Sequence, residues 1–350
     1  MNYEKYDLSD ERILVIGGCG FIGHNLVPVL RKAKCEVMVI DNLIHNNLID
    51  FWSKRPDLPS FKREFYLELL KDRLNLIFES GCRFEKIDSR NFSDLQNIFK
   101  KFDPTKVIHL AAIVHAKKAN TYPDVAFENS IVTLKNSLEC IRTNPGNVNL
   151  LIYLSSSMVY GDFPKDGVYE DSPLKPKGMY GTLKLCAEQI MIAYNRVYGI
   201  PYTIIRPSAL YGPRCVSRRV TSLFVENALE NNPIRIEGDG EDKLDFTYID
   251  DLVQGVFRVV VNKEARNQIF NMTFGESRSI NELVEILKKN FSGVRIIREE
   301  RDPLRPLRGT LKIDKAKELL GYNPEYPVES GYPKYIDWYK RVLSKGMKRK

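Results

Sequence analysis

The sequence contains few residues of the kinds that build metal centres or disulfide frameworks. Only four histidines occur among its 350 residues, and the cysteines form no CxxC pair. The six cysteines lie far apart, at Cys19, Cys35, Cys82, Cys140, Cys186 and Cys215. Zinc sites usually draw on closely spaced cysteines and histidines, so we expect no metal site. Scattered cysteines in a chain of this size are typical of a reducing compartment, which favours a cytoplasmic protein.

Long apolar runs are also missing from the sequence. Runs such as NLLIYL and FRVVV are far shorter than the roughly 20 residues that a membrane-spanning helix requires. The stretch MNYEKYDLSDER at the start is charged and lacks the apolar core of a secretory signal peptide. We therefore expect neither membrane insertion nor export.

The composition is that of an ordinary globular protein with a basic bias. Hydrophobic residues make up 43% of the chain and charged residues 28%, and the formal net charge is +8. Positive charge is concentrated in RCVSRR at 214–219 and in the tail KGMKRK. Such a surface attracts nucleic acid, a diphosphate-bearing metabolite or an anionic glycan precursor, and charge alone does not choose among them.

Short apolar strands alternate with helices along most of the chain. The predicted strands are RILVIGG, EVMVID, CRFEKID, KVIHLAA, LLIYLSS and YTIIRP. Continuous apolar strands separated by helices are typical of a parallel sheet that is covered on both faces. We therefore predict an α/β fold, a Rossmann-type doubly wound parallel sheet. A long insertion over residues 44–80 shows helical periodicity in FKREFYLELLKDRL.

The alternation loosens after about residue 205. A strand DFTYI, a helix DDLVQGVFRVV and a strand QIFNM are predicted to return to the sheet. We therefore predict a dinucleotide-binding domain over residues 1–207, joined by residues 241–273. Residues 208–240 and 274–350 are predicted to form a smaller mixed α/β lobe that binds substrate over the strand ends, where ligands of open α/β sheets bind.

A glycine-rich loop follows the first predicted strand. In GGCGFIG, the spacing of Gly17, Gly20 and Gly23 satisfies the dinucleotide-binding pattern. Such a loop turns tightly, brings its backbone close to a pyrophosphate and directs a helix N-terminus at it. Asp41 ends the next strand, where a carboxylate accepts hydrogen bonds from the adenosine ribose and repels a 2′-phosphate. These features predict NAD rather than NADP.

The motif YGTLK places Tyr180 and Lys184 on one face of a predicted helix. A free tyrosine titrates near pH ~10 and is a weak acid–base catalyst at neutral pH. A nearby ammonium and the positively charged nicotinamide ring both favour the phenolate. The serines of SSSMVYG, at 155–161, supply a hydroxyl that can bind the reacting oxygen and pass a proton. The three residue types together predict acid–base chemistry beside a nicotinamide ring.

These motifs and their order along the chain resemble those of the extended short-chain dehydrogenase/reductase family, specifically its NAD-dependent nucleotide-sugar epimerases and dehydratases. The resemblance covers nearly the whole chain and extends to KIDSRN, HLAA, RPSALYGPR and GDGEDKLDFTYIDD. It implies that Ser156, Tyr180 and Lys184 are catalytic. The positions it assigns to NAD are Gly17, Gly20, Phe21, Ile22, Gly23, Asp41, Asn42, Asp88, Ser89, Leu110, Ala111, Ala112, Asn129, Ser155, Tyr180, Lys184 and Pro207.

The two residues before VYG separate the reactions of this family. Sugar 4,6-dehydratases resemble this chain but carry an Asp-Glu pair where it has Ser157 and Met158. Decarboxylating relatives use a glutamate at the second of these positions, and 3,5-epimerase/reductases use a cysteine there. Methionine cannot transfer a proton, which disfavours all three reactions. The resemblance then implies epimerisation at C4 through a keto-sugar, with no net redox change.

Two alternatives stay open. A nucleotide-keto-sugar reductase uses the same serine, tyrosine and lysine in one direction, although biosynthetic reductases often use NADPH and Asp41 favours NAD. A non-catalytic dinucleotide-binding module is the second alternative. The presence of Ser156, Tyr180 and Lys184 counts against that module, because a silent relative is free to lose them.

The resemblance implies that the partner is a nucleotide-diphosphate sugar and not a nucleic acid. His115, Ser156 and Ser157 are expected to face this substrate. Leu244 stands where the family usually has an arginine, so other cations are expected to hold the diphosphate. The candidates are Arg214, Arg218, Arg219, Arg235, Arg301 and Arg305. The family also implies a homodimer, in which the helices that begin near Tyr122 and Tyr180 pair with those of a second copy.

Overall fold

The computed structural model describes residues 1–45, 47–52, 60–113, 116–144 and 147–347. The strands in these ranges are β1 (Arg12–Ile16), β2 (Glu36–Ile40), β3 (Arg83–Glu85), β4 (Lys106–His109), β5 (Leu150–Leu154), β6 (Tyr202–Arg206), β7 (Leu210–Tyr211), β8 (Ile234–Glu237), β9 (Lys243–Leu244), β10 (Thr247–Tyr248), β11 (Gln268–Asn271), β12 (Arg278–Ser279) and β13 (Ile296–Glu299). Seven of them form one parallel sheet in the order β11-β6-β5-β4-β1-β2-β3.

Helices connect these strands. They are α1 (Gly23–Lys32), α2 (Leu48–Trp52), α3 (Ser60–Glu79), α4 (Phe92–Phe102), α5 (Ala116–Thr121), α6 (Pro123–Phe127), α7 (Thr133–Thr143), α8 (Met179–Tyr198), α9 (Val220–Leu229), α10 (Ile249–Val261), α11 (Ile280–Asn290), α12 (Asp314–Leu320) and α13 (Val328–Met347). A π-helical segment, Glu128–Val132, joins α6 to α7, and a short 3₁₀ helix, Ser157–Val159, follows β5. Within the ranges given above, we find no helix long and apolar enough to span a bilayer.

The central sheet is covered on both faces, as its apolar strands predict. Along β1, Ile13 and Val15 belong to one buried core, whereas Leu14 and Ile16 belong to a second core on the opposite face. Successive strand residues point to opposite faces, so a strand that is apolar throughout requires helices on both sides. The predicted doubly wound α/β fold is confirmed.

The strand order also locates the ligand crevice. The chain runs outward from β1 through β2 to β3, then returns to β4 on the other side of β1. Ligands of open α/β sheets bind outside the carboxyl ends of the strands at this reversal. The loops after β1, β2 and β4 are therefore the ones expected to hold a cofactor.

One predicted strand does not join this sheet. The DFTYI segment contributes β10, which pairs in parallel with β7 over two residues, Thr247 with Leu210 and Tyr248 with Tyr211. The edge of β6 is instead taken by β11, from the predicted QIFNM strand, whose four residues pair with Thr203–Arg206. The prediction was wrong for DFTYI because β11 already satisfies the hydrogen-bonding edge of β6. The predicted domain boundaries stay a prediction.

The insertion over residues 44–80 is helical where its periodicity predicted a helix. Its long helix, α3, packs against α1. Phe51 of α2 and Tyr66 of α3 are buried in a small core with Val216, which lies in the loop between β7 and α9. The insertion therefore contacts a loop that is more than 100 residues away in the sequence.

Candidate active site

A first cavity opens at the carboxyl ends of β1, β2 and β4, at the reversal of strand order. The predicted NAD residues that line it are Gly17, Gly20, Phe21, Ile22, Asp41, Asn42, Asp88, Ser89, Leu110, Ala111, Ala112 and Asn129. The sequence did not point to Arg73, His45, Thr133 or Ser217, which line the same cavity. These four come from helices and loops that reach the strand ends only in the folded chain.

The glycines of the phosphate loop have separate roles. Gly17 has φ +79°, and a Cβ there would lie 2.8 Å from the Ala111 nitrogen, so this wall of the cavity requires glycine. A Cβ on Gly23 would lie 2.2 Å from the Gly18 oxygen. Gly23 therefore serves the packing of α1 on the loop rather than the cavity wall. The close backbone and the start of α1 provide the cradle that a pyrophosphate needs.

Asp41 connects the phosphate loop to the end of β2. Its Oδ2 accepts a hydrogen bond from the Cys19 backbone N–H at 3.0 Å, and its Oδ1 accepts one from the Leu43 N–H at 2.7 Å. Burial is the largest influence on this carboxyl and raises its pKa above the ordinary range. The two backbone donors oppose that rise and fix the carboxylate where an adenosine ribose hydroxyl is expected.

The other acidic residue of the cavity is neutralised within the protein. Arg90 donates to both carboxylate oxygens of Asp88, at 2.7 Å from Nη2 and 3.0 Å from Nε. These hydrogen bonds lower the pKa of Asp88 to about 2. The Asn42 amide also donates to Asp88, at 3.2 Å. Asp88 therefore lines the cavity as part of an ion pair.

Asn129 enters the cavity from an irregular part of a helix. It lies on the π-helical segment Glu128–Val132 and donates its Nδ2–H to the Val125 oxygen at 2.8 Å. The helix predicted from near Tyr122 is therefore present as α6, this segment and α7. Segments of π-helix are rare and frequently occur at functional sites, because they redirect side chains out of the helical repeat.

A second cavity adjoins the first, and Ile22, Leu110, Ala112, Leu210 and Arg219 line both. The structure brings most of the remaining predicted residues to its wall. They are Ser155, Ser156, Ser157, Tyr180, Lys184, Pro207, Arg218, Arg219, Arg235, Arg301 and Arg305. The serine-tipped strand and the YGTLK helix therefore face one space next to the cofactor cavity.

The three serines differ in their surroundings. Ser156 accepts a hydrogen bond from the Met158 N–H at 3.2 Å and so caps the short 3₁₀ helix. Ser155 donates its hydroxyl hydrogen to Glu188 of α8. The hydroxyl of Ser157 is buried, and no described residue is its hydrogen-bond partner. A buried hydroxyl without a partner on a cavity wall is suited to a ligand, which supports the substrate role predicted for Ser157.

Lys184 is held beneath the end of β5. Its ammonium donates to the Leu154 carbonyl at 2.6 Å and lies 4.7 Å from the centre of the Tyr153 ring. Burial lowers the pKa of Lys184 to about 7, although the charge of Glu188 opposes this. Tyr180 lies one helical turn earlier, so a cation that titrates near neutrality accompanies the phenol.

A buried ion pair supports this part of the site. Arg206, at the end of β6, donates to Glu188 from Nη2 at 2.6 Å and from Nε at 3.0 Å, and both side chains are buried. Arg206 also donates to the Tyr160 hydroxyl at 2.8 Å. The pair connects α8 to the sheet and fixes the acceptor of the Ser155 hydroxyl. The sequence predicted none of these contacts, because they join residues that lie far apart in the sequence.

The arginines of the second cavity are not equivalent. Arg301 donates to Asp242 at 2.9 Å, Arg235 pairs with Glu299, and Arg305 donates to Glu237 at 2.9 Å. Each of these three cations therefore has a carboxylate partner.

Arg308 also lines this cavity, although the sequence did not point to it. Its Nε is buried, and no described residue is a hydrogen-bond partner for that atom. Burial and the nearby charges of Arg305 and Arg219 lower the pKa of Arg308 to about 10. Arg308 therefore remains charged at neutral pH and is better suited than Arg301 to a new anionic partner.

Two predicted substrate residues are not placed with the others. Arg214 donates to His24 Nε2 at 3.1 Å and to Asn25 Oδ1 at 3.4 Å, behind the phosphate loop. It is not among the described residues that line either cavity, so its predicted contact with the diphosphate is not supported. His115 lies outside the described residues.

Comparison with known proteins identifies the family. The profile of the NAD dependent epimerase/dehydratase family matches residues 13–273. A UDP-glucuronate 4-epimerase of Thermodesulfobacterium geofontis is 30% identical over 342 residues, covering 94% of this chain and 96% of the relative. The UDP-glucuronic acid 4-epimerase of Bacillus cereus, solved with UDP-glucuronic acid and NAD, is 27% identical with a TM-score of 0.84, covering 95% of this chain and 99% of that one.

A third similar protein was solved with the nucleotide of a neutral sugar. The UDP-glucose 4-epimerase of Thermotoga maritima, solved with UDP-glucose, is 25% identical with a TM-score of 0.81. The alignment covers 95% of this chain and 99% of that one. The chain therefore belongs to the NAD-dependent epimerase/dehydratase family, within the extended short-chain dehydrogenases/reductases.

Proposed function

We propose that this protein is an NAD-dependent nucleotide-sugar 4-epimerase that acts on a UDP-linked sugar. The observation that carries the proposal is the wall of the second cavity, where Ser156, Tyr180 and Lys184 meet beside the cofactor cavity. Met158 lies on the same wall, at the position where eliminating relatives need an acid. The groups required for reversible hydride transfer are therefore present without the group required for loss of water.

The catalytic cycle follows from the roles of these side chains. Tyr180 removes the proton of the C4 hydroxyl, directly or through Ser156, and later returns it. Lys184 favours the phenolate through its positive charge. NAD, when bound in the first cavity, supplies the hydride acceptor and donor. The keto-sugar turns in the second cavity between the two transfers, so that the hydrogen returns to the opposite face.

The charge of the second cavity supports a substrate with more negative charge than a neutral sugar nucleotide. Eight lysine and arginine side chains line it, against five carboxylates. Arg308 lines this cavity together with Tyr180. A cation near the reacting end of the cavity suits a sugar carboxylate. We therefore propose a UDP-uronic acid as the preferred substrate and UDP-glucose as the second candidate.

The test is incubation of the purified protein with UDP-glucuronic acid and, separately, with UDP-glucose, without added cofactor, followed by proton NMR. We expect inversion at C4, with the larger kcat/KM for UDP-glucuronic acid. A requirement for stoichiometric NADH or NADPH would contradict epimerisation and indicate a reductase. Tyr180→Phe is expected to lower kcat by about 10²–10⁴-fold while the protein keeps its NAD. The exposed Tyr169→Phe is the matched control.

We further propose that the protein is a cytoplasmic homodimer. All six cysteines are free thiols in the structure, which is consistent with a reducing compartment. Large apolar side chains are exposed on and beside α6, at Tyr122, Val125 and Phe127. Exposed apolar side chains that cluster on one helix favour a protein–protein interface. These exposed side chains support pairing through the helix that was predicted to contact a second copy.

A further inference from the structure

The loop over residues 212–219, between β7 and α9, has an unfavourable backbone. Arg214 and Arg218 adopt positive φ angles of 62° and 46°, a conformation that L-residues other than glycine rarely adopt. Such a conformation persists only where the surrounding structure enforces it. The loop nevertheless carries Ser217 and Arg219 to the wall of the cofactor cavity. Contacts from neighbouring elements must therefore hold the loop in this conformation.

The inserted helix α3 supplies the contact that holds it. The guanidinium of Arg73 donates to the Arg214 carbonyl from Nε at 2.9 Å and from Nη2 at 2.5 Å. The Arg73 side chain is only 1% exposed, and it lines the cofactor cavity together with Asp41. Burial lowers the pKa of Arg73 to about 10, so the group stays charged at neutral pH.

A second contact from the insertion holds the same loop. Val216 is buried against Phe51, Tyr66 and Leu70 in the small core of the insertion. Tyr66 also donates its hydroxyl hydrogen to Glu226 of α9 at 2.5 Å. The insertion thus holds the loop at Arg214 by hydrogen bonds and at Val216 by packing, and it holds the helix that follows.

We propose that Arg73 is a positioning residue through which the inserted helix holds loop 212–219 closed over NAD. The loop reaches both cavities, since Arg219 lines both and Arg218 lines the second. Arg73 therefore sets the retention of NAD and, at the same time, the placement of two cations at the nucleotide-sugar site. An enzyme with no net redox change can keep one NAD through every cycle, and the insertion serves that retention. The part concerning the sugar nucleotide rests on the proposed function, whereas the part concerning NAD does not.

The test compares Arg73→Met with Lys71→Met, an exposed lysine on the same helix that pairs with Glu68. NAD is released from each purified protein by acid and quantified, and the Kd for NAD is measured by calorimetry on the stripped protein. We expect Lys71→Met to match the wild type. We expect Arg73→Met to bind NAD about 10-fold more weakly or worse, because two charged hydrogen bonds are lost. Its KM for the sugar nucleotide should rise while kcat at saturating NAD changes little.

The outcomes separate this inference from the proposed function. A folded Arg73→Met protein with wild-type NAD affinity and KM would overturn the inference. If Arg73→Met does not fold, Arg73→Lys decides, because a lysine keeps the buried charge but cannot donate from two nitrogens to the Arg214 carbonyl. Faster dissociation of NAD from Arg73→Lys supports the inference, and an unchanged rate rejects it. If Arg73→Met binds NAD more weakly and the wild type converts no sugar nucleotide, the inference about Arg73 is supported and the proposed function is rejected.

Discussion

At the residue scale, the site depends on a lysine that is held where its charge is unfavourable. Lys184 is buried, and its ammonium has the Leu154 carbonyl and the Tyr153 ring as neighbours. Glu188, whose negative charge favours the charged lysine, also accepts hydrogen bonds from Arg206 and Ser155. A cation in such surroundings lies near its point of deprotonation at neutral pH, and keeping it charged costs stability.

This cost has a definite pH dependence in NAD-free protein. Because the folded pKa of Lys184 is about 7 and its ordinary value is 10.5, the unfolded chain binds the additional proton between these values. Stability therefore rises with pH in this window, and the cost of burying Lys184 is greatest below pH 7. Lys184→Met removes that cost and should abolish activity.

The prediction is a stability difference between Lys184→Met and the wild type that shifts with pH. Between pH 6 and pH 9, the free energy of unfolding of the wild type should increase relative to that of Lys184→Met by up to about 3 kcal/mol. Urea unfolding of both proteins at the two pH values measures this shift, and other titrating groups cancel in the comparison. A difference that is the same at pH 6 and pH 9 would show that Lys184 does not titrate as proposed.

At the element scale, the start of α8 is pressed against the short 3₁₀ helix that follows β5. A Cβ on Gly181 would lie 2.6 Å from the Met158 carbonyl oxygen, a distance that real Cβ atoms do not show. Gly181 is next to Tyr180, and Met158 follows the serines of the site. This contact therefore sets the spacing between the tyrosine helix and the serine strand.

We predict that Gly181→Ala lowers kcat more than it raises KM, because α8 must shift away from the serines. Misplacing a catalytic group by about 1 Å can cost on the order of 10²-fold. Thr182→Ala, at the exposed next position of α8, is the control and should retain activity. Steady-state kinetics and the NAD content of both variants give the measurement. Wild-type kcat in Gly181→Ala would show that this spacing does not matter.

At the scale of the whole molecule, the exposed apolar helix α6 is the proposed dimer interface. The cavities lie at the carboxyl edge of the sheet, whereas Tyr122 and Phe127 are 61% and 50% exposed on the surface of the proposed helix pair. Two copies related by a twofold axis would bury the same side chains on each.

The corresponding prediction concerns Phe127→Glu. A charge at the centre of an apolar interface is costly, so this variant should be monomeric where the wild type is dimeric. Light scattering coupled to size exclusion measures the mass of each protein. Tyr169→Glu changes a similarly exposed aromatic residue that lies outside these helices and should leave the mass unchanged. A wild type that is itself monomeric would reject the proposed homodimer.

The sequence alone determined the features that depend on short-range spacing. Strand and helix periods predicted the doubly wound sheet, and the glycine loop and YGTLK predicted residues that line the two cavities, because each motif lies within one turn or one loop. Only the tertiary structure decided which cations face the cavities. Arg214 donates to His24, Arg308 reaches the second cavity, and Arg73 arrives from an inserted helix. A long side chain takes its partner from whichever element packs beside it, and that neighbour is set by the whole fold.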